Sequence, residues 1–237
     1  MKSYHAAGRI GDVLFALYTM RALGGGRLIL TDFHTPNWSL DIAMTMQSFL
    51  SYQEYIHEVT LVEYKDLHLF KVDYDLHEAE NDYNPEAFPE WDQSPWPGNC
   101  NIRKRYAVHF GVHSDSPTFP IWLTAPFDKP MDIVFHAKQD RIVRSTEDWL
   151  IILARLSDAG RHVHWLHHEG DWMETAKCIN NANVFLGAVS APNALAEGLG
   201  IPTYVEQAPG CNNVNSTVVL NGMSNEEVVA RVLEACK

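Results

Sequence analysis

Cysteine is scarce in this chain and positive charge is outnumbered. Cys100, Cys178, Cys211 and Cys236 stand far apart, without the density of a secreted disulfide scaffold or the paired spacing of a zinc site, so free thiols are expected. The 18 Lys and Arg face 30 Asp and Glu, a formal net charge of -12. That balance opposes general nucleic-acid binding, which needs a surplus of cations to neutralise phosphates. The imbalance is also local. Asp73, Asp75, Glu78, Glu80, Asp82, Glu86, Glu90 and Asp92 succeed one another without a Lys or Arg between them, and Arg103, Lys104 and Arg105 follow, which leaves room for one basic patch. No apolar run reaches the ~20 residues that span a bilayer, since Val13 to Leu23 is interrupted by Thr19 and Arg21. The residues after Met1 lack the charged region, apolar core and cleavage site of a leader. A cytoplasmic protein is the expectation.

Several catalytic signatures are missing too. Gly8 and Gly11 at Gly-x-x-Gly spacing fall short of the dinucleotide fingerprint, which needs a third Gly, so a nicotinamide-dependent enzyme is disfavoured. There is no Gly-x-Ser-x-Gly elbow for a hydrolase nucleophile and no His-Glu-x-x-His helix for zinc. His162, His164, His167 and His168 lack a carboxylate or Cys partner at ligand spacing, and no metal is expected.

What is present is the rhythm of an α/β protein. With 237 residues, 46% of them hydrophobic, the chain can bury one large core or two small ones. Lys2 to Ala7 reads as a strand, followed by a turn and an apolar helix from about Asp12 to Leu23 that Gly24, Gly25 and Gly26 stop. Arg27 to Thr31 is a second strand, and Leu40, Ala43, Met44 and Phe49 mark the inward face of a helix beginning near Ser39. Val59 to Val62 and Val72 to Leu76 are further short strands. Asn81 to Gly98, with Pro85, Pro89, Pro95, Pro97, Trp91 and Trp96, reads as a packed surface loop, an acceptor-binding wall or a lid. After a helix near Ile102 to Gly111, proline-rich Pro117 to Pro130 is the candidate domain boundary.

The second half restarts the pattern. Met131 to His136 is a strand, Ser145-Thr146-Glu147-Asp148 starts a helix, Trp149, Ile152, Leu153 and Leu156 form its apolar stripe, and Gly160 ends it. A strand at His162 to Leu166, a helix from about Asp171 to Asn181 and a strand at Val184 to Leu186 follow. Next, Ser190 and Pro192 open a helix that Gly200 closes, Pro202 to Val205 is a strand, and Ser224 to Glu227 caps a last helix. The expectation is two α/β halves, 1–127 and 128–237, joined by a proline-rich hinge.

Three stretches carry candidate chemistry. The helix start after Ala188 and Val189 is an anion-binding geometry, and the turn at Gly8 to Asp12 is a second of the same kind. Facing each other, the two would form a cleft for a phosphate-bearing ligand. Asp12 at its mouth suits a general base, although Asp is also favoured at helix starts for the cap bond and the dipole. Lys138, Arg141 and Arg144 follow the first strand of the second half, at the sheet edge where ligands bind in open α/β folds. They would either neutralise a diphosphate or form a solvated basic loop.

Together these stretches resemble the heptosyltransferase family of GT-B glycosyltransferases. Gly8-Arg9-Ile10-Gly11-Asp12-Val13-Leu14-Phe15-Ala16-Leu17 is similar to the family's Gly-Asp loop and following helix. Tyr74-Asp75-Leu76-His77 and Arg105 to Val112 resemble further counterparts, and Ile133 to His136 with Lys138, Arg141 and Arg144 sits where the family sets cations against the donor diphosphate. The match extends from Ile179 through Gly187 to Pro202. Where the family has Asp-Ser-Gly-x-x-His-x-Ala, this chain keeps Ser190 and Ala196 and carries Val189, Ala191 and Ala194 at the Asp, Gly and His positions. Asn193 would compensate as a neutral donor.

The resemblance implies two Rossmann-like halves facing a cleft, trimmed in the N-terminal half. It implies transfer of a sugar from a nucleotide-diphosphate sugar to an acceptor hydroxyl, with inversion and without a cofactor or metal. Asp12 would be the base, and Gly11, Lys138, Arg141, Arg144, Gly187, Ser190, Ala191 and Asn193 would hold the donor. The acceptor would be a glycan or another hydroxyl-bearing molecule; hydroxylated bases of modified DNA are an alternative that the acidic balance disfavours. A noncatalytic sugar-nucleotide-binding module and a sugar-nucleotide epimerase are the other two readings.

Overall fold

Strands that alternate with helices pair in parallel, because each helix carries the chain back across the sheet before the next strand begins. The computed structural model, which describes residues 1–7, 9–32, 39–77, 109–112, 121–137, 143–167, 171–207 and 217–237, contains two such sheets. The first comprises β1 (Ser3–Ala6), β2 (Gly26–Thr31), β3 (Ile56–Val62) and β4 (Tyr74–Asp75) in the order β3-β2-β1-β4, all parallel. The second comprises β5 (Met131–His136), β6 (Val163–Trp165), β7 (Ala182–Ala188), β8 (Thr203–Glu206) and β9 (Val218–Val219) in the order β6-β5-β7-β8-β9, again all parallel. The fold is α/β with two Rossmann-like halves. The expected proline-rich loop from Asn81 to Gly98 and most of the expected helix that follows it lie outside the described residues, as do Arg103, Lys104, Arg105, Cys100 and Cys211.

The helices start where side chains can satisfy their first amides. In α2 (Leu40–Ser51) the Ser39 hydroxyl accepts from the Ile42 N–H, and in α3 (Thr146–Asp158) the Ser145 hydroxyl accepts from Asp148. Asp171 caps α4 (Trp172–Asn180), and Ser224 and Glu227 form the expected box on α6 (Asn225–Ala235). Helix α1 (Ile10–Ala22) begins earlier than the sequence led us to expect. Extended Arg9 (φ -77°, ψ 157°) is its N-cap, so Asp12 is already inside the first turn. Helix α5 (Ala191–Leu199) closes at Gly200 in the left-handed conformation (φ 77°).

One continuous core joins the two sheets. Tyr4, Leu28 and Leu30 of the first sheet and Val134, Phe185 and Val205 of the second belong to the same buried cluster, bridged by Leu14 and Leu17 of α1 and Leu195 of α5. Helix α1 packs on α5 and α2 packs on α4. The far face of the second sheet has its own cluster, in which Ile133, Phe135 and Leu186 meet the predicted stripe Trp149, Ile152, Leu153 and Leu156 of α3 and Val228 and Val232 of α6. The layers therefore run sheet, helices, helices, sheet, with a further helix layer outside.

The described part of the proline-rich connection is a bonded strap. The Trp122 and Leu123 N–H groups both donate to the Gly198 carbonyl at 2.9 Å, and the Trp122 indole donates to Leu14 O at 2.9 Å inside α1. Gln53 grips Thr124 from α2's end, accepting from its N–H at 2.8 Å and donating to its carbonyl at 2.9 Å. The Tyr55 hydroxyl donates to Trp122 O at 3.0 Å, and its burial pushes its pKa up so that it stays a donor. Arg21 donates to Ile121 O and Asn180 to Ala125 O, each at 2.9 Å. Gly198 is glycine because a Cβ there would overlap the Leu123 side chain. Trp122 is fully buried at the centre of this strap. Trp122→Ala should lower the unfolding free energy by about 3–5 kcal/mol in urea titrations. Because the core is shared, wild type should unfold in one transition whichever half is probed; two separable transitions would contradict the shared core.

Candidate functional site

The site begins at the carboxyl edge of the second sheet, where β7 turns into α5. Gly187 sits at φ 155° with its missing Cβ directed at the His136 carbonyl of paired strand β5. A side chain there would force the two strand ends apart, so Gly187 has a backbone role. Past it, Ser190 is the N-cap of α5, with extended backbone (φ -165°, ψ 174°). Contrary to the usual habit of an N-cap serine, its hydroxyl caps no amide of the helix. It donates to Ala188 O at 3.1 Å and lies 3.1 Å from His136 Nδ1. Pro192 has no N–H to offer, and the first intrahelical bond runs from Ala194 N–H to Ser190 O. The remaining first-turn donors of α5 therefore belong to Ala191 and Asn193.

Asn193 is the least settled polar residue here. It is 0% exposed, and neither its side-chain oxygen nor its nitrogen has a partner among the described residues. An orphaned buried amide costs about 1–3 kcal/mol, a cost that a polar ligand at this helix start would offset.

The start of α1 meets the start of α5. A Cβ built on Gly11 would lie 3.7 Å from Ala191 Cα, so the two turns stand about one methyl group short of van der Waals contact at this point. Asp12, half-buried in α1's first turn, accepts from the Arg9 backbone N–H at 3.0 Å. The structure thus brings Gly11 of the α1 start near Ala191 of the α5 start, and Ser190 of the α5 start to His136 at the end of β5.

The cationic loop divides. Lys138 and Arg141 lie outside the described residues. Arg144, expected as a diphosphate ligand or a solvated cation, is an internal clamp. Its Nε donates to Glu206 Oε1 at 3.0 Å, its terminal nitrogens to Asn225 Oδ1 at 2.6 Å and Met223 O at 3.0 Å, and its guanidinium lies over the Trp149 ring. Glu206 Oε2 accepts the backbone N–H groups of Val143 and Arg144 at 3.1 and 2.9 Å. The side chains are 9% and 3% exposed. The pair therefore pins the chain entering α3 to the end of β8. Sequence spacing located the loop but carried no sign of its acidic partner, which is remote in the chain.

The carboxyl edge of the first sheet has a polar cluster of its own. The His5 ring spans from Asp75 Oδ1, at 2.8 Å on β4, to Thr31 Oγ1, at 2.9 Å on β2, and Asp75 also accepts the His77 N–H at 3.0 Å. His5 and Thr31 are fully buried, which suits a clamp across three strands. On the outer strand β6, burial and the neighbouring His162 and His167 hold the His164 imidazole below its usual pKa. Among the described residues no group of three or more His, Cys, Asp or Glu is placed to hold a metal ion. Cys178 and Cys236 are free thiols, both pushed up in pKa chiefly by burial. Among the described residues no helix is long and apolar enough to cross a membrane.

Removing the charge of Glu206 while keeping its shape tests the clamp. Glu206→Gln leaves a buried guanidinium without its counter-charge and should cost about 3–5 kcal/mol of stability in urea titrations. A loss below about 1 kcal/mol would contradict a buried ion pair at this position.

No protein-family model matches the chain, and no curated protein matches it in sequence. Solved structures match it in fold. E. coli heptosyltransferase WaaC, solved with ADP, superimposes with a TM-score of 0.64 at 13% identity, covering 99% of this chain and 100% of that one. A glycosyl transferase family 9 protein from Veillonella parvula gives 0.65 at 11% identity, with 99% and 96% covered. The iron-containing dodecameric glycosyltransferase TibC from enterotoxigenic E. coli gives 0.57 at 15% identity, covering 94% of this chain and 62% of that one. The protein therefore has the GT-B-like fold of the heptosyltransferases, carried by a strongly divergent sequence.

Proposed function

We propose that this protein is a glycosyltransferase that moves a sugar from a nucleotide-diphosphate sugar to an acceptor hydroxyl. The observation that carries this reading is the approach of the α1 and α5 starts at Gly11 and Ala191, with Asp12 next in sequence to Gly11 and the buried, unpartnered Asn193 amide in the first turn of α5. Positive helix termini and unmatched donors fit an anionic leaving group on the α5 side. A carboxylate fits the removal of a proton on the α1 side. WaaC was solved with ADP, which makes ADP-linked sugars the first donors to try. Such a donor also accords with the cytoplasmic location expected from the sequence.

In this mechanism Asp12 takes the proton of the acceptor hydroxyl while the acceptor oxygen attacks the anomeric carbon. The bond from that carbon to the diphosphate breaks on the opposite face, so the anomeric configuration inverts. The Ala191 and Asn193 amides and the Asn193 side chain receive the charge gathering on the leaving diphosphate, with Lys138 and Arg141 as added cations. Arg144 and Glu206 hold the chain at the start of α3. No step is assigned to a metal.

Incubation with ADP-, GDP- and UDP-sugars, with and without glycan acceptors, should release nucleoside diphosphate faster when an acceptor is present, and NMR should find an inverted anomeric centre in the product. Asp12→Asn should reduce transfer by about 10²–10⁴-fold and change nucleoside-diphosphate affinity by less than about threefold. Transfer that survives this substitution would contradict the base assignment, and a nucleotide sugar converted to its isomer would point instead to an epimerase.

A further inference from the structure

Ser190 is placed where a serine normally caps its helix, yet it does not. An N-cap hydroxyl that accepted from the Asn193 N–H would occupy the donor that an incoming anion needs. The Ser190 hydroxyl is instead turned toward the sheet, where its hydrogen goes to Ala188 O at 3.1 Å and its oxygen lies 3.1 Å from His136 Nδ1. With the hydroxyl hydrogen committed to the carbonyl, the Ser190–His136 contact requires a proton on His136 Nδ1. His136 is 5% exposed at the end of β5 and is paired in register with Gly187. Its backbone can come that close to β7 only because residue 187 has no side chain.

We infer that His136 is a positioning residue for the diphosphate of the donor. By donating from Nδ1 to Ser190 Oγ it holds the serine hydroxyl off the start of α5 and keeps the Asn193 N–H open to the ligand. The second sign of a ligand at the same place is the Asn193 side chain, fully buried with both polar atoms unpartnered. A protein that needed this terminus only as a helix end would cap it with the serine already present, and the orphaned amide would be a pure cost. The inference rests on the proposed function, because it takes the anion at α5 to be a nucleoside diphosphate. It adds a residue from a different strand, one that acts through Ser190 and sets affinity before any chemistry occurs.

The coupling between the two residues is measurable. Affinity for ADP, GDP and UDP is determined by calorimetry, and the tightest of the three serves as probe for His136→Ala, His136→Asn, Ser190→Ala and the double variant. His136→Ala should weaken the probe about tenfold, the cost of one competing hydrogen bond. His136→Asn, whose amide nitrogen stands near the position of Nδ1, should recover most of that loss. In the Ser190→Ala background the His136 substitution should have no further effect, because no hydroxyl remains to hold back. A loss of packing alone would instead weaken binding equally in both backgrounds and would not be recovered by Asn. In the free protein, ¹⁵N NMR of the imidazole should find the Nδ1–H form. Unchanged affinity in His136→Ala, equal loss with and without the serine hydroxyl, or an Nε2–H tautomer would each overturn the inference while leaving the proposed function standing. Failure of wild type to bind any of the three nucleotides would overturn both.

Discussion

Everything distinctive in this molecule depends on the packing of α1 against α5. Each helix follows the strand-to-helix turn of its candidate anion site, α1 after β1 and α5 after β7, and each buries apolar residues in the core shared by the two sheets. The starts of the two helices therefore cannot drift apart independently of that core. Gly11 and Ala191 are small and lie close to each other across the two turns, with room for little more than one methyl group between them. The strap through Trp122 and Leu123 adds backbone bonds to Gly198 within α5 and an indole bond to Leu14 within α1. The result is a site on rigid elements, with the geometry of its polar groups set before a ligand arrives.

That rigidity explains why polar groups can be left unmatched. A buried amide without a partner is tolerated when the surrounding core exceeds its cost, and Asn193 sits beside Ala194 and Leu195 on one of the most deeply buried helices of the chain. The fully matched polar groups lie nearby but serve other ends. Arg144 and Glu206 fasten the start of α3 to β8, and His5, Thr31 and Asp75 bind three strand ends of the first sheet. Completeness of hydrogen bonding separates these clamps from the candidate binding surface. The clamps have their partners within the protein, and Asn193 does not.

Local chemistry was legible in the sequence and long-range chemistry was not. Ser39, Ser145, Asp171 and Ser224 all stand at helix starts, and the stripe Trp149, Ile152, Leu153 and Leu156 is buried as its spacing predicts. These features depend on neighbours within a turn or two. The prolines of the strap are visible in the sequence, whereas its partners, Gly198 O, Leu14 O and Gln53, are distant along the chain and are not. The pairing of Arg144 is hidden for the same reason, since a cation in a loop has no visible acid until β8 is placed beside it. His136 carried one faint signal, an imidazole ending an apolar strand. Only the pairing of β5 with β7 gives it a partner in Ser190. The two-residue strand β9 and the 3₁₀ turn at Tyr64–Leu69 are too short for any periodicity to announce.

The central claim is that one anionic ligand is held where the two helix starts meet. Amide hydrogen exchange with and without the tightest-binding nucleoside diphosphate tests it most directly, because it reads both starts in the unmodified protein. The account predicts slowed exchange at Gly11 of α1 together with Ala191 and Asn193 of α5, while amides already bonded within the protein, Asp12 to Arg9 and Trp122 and Leu123 to Gly198, stay unchanged. Protection confined to one helix start, or centred away from both, would contradict it.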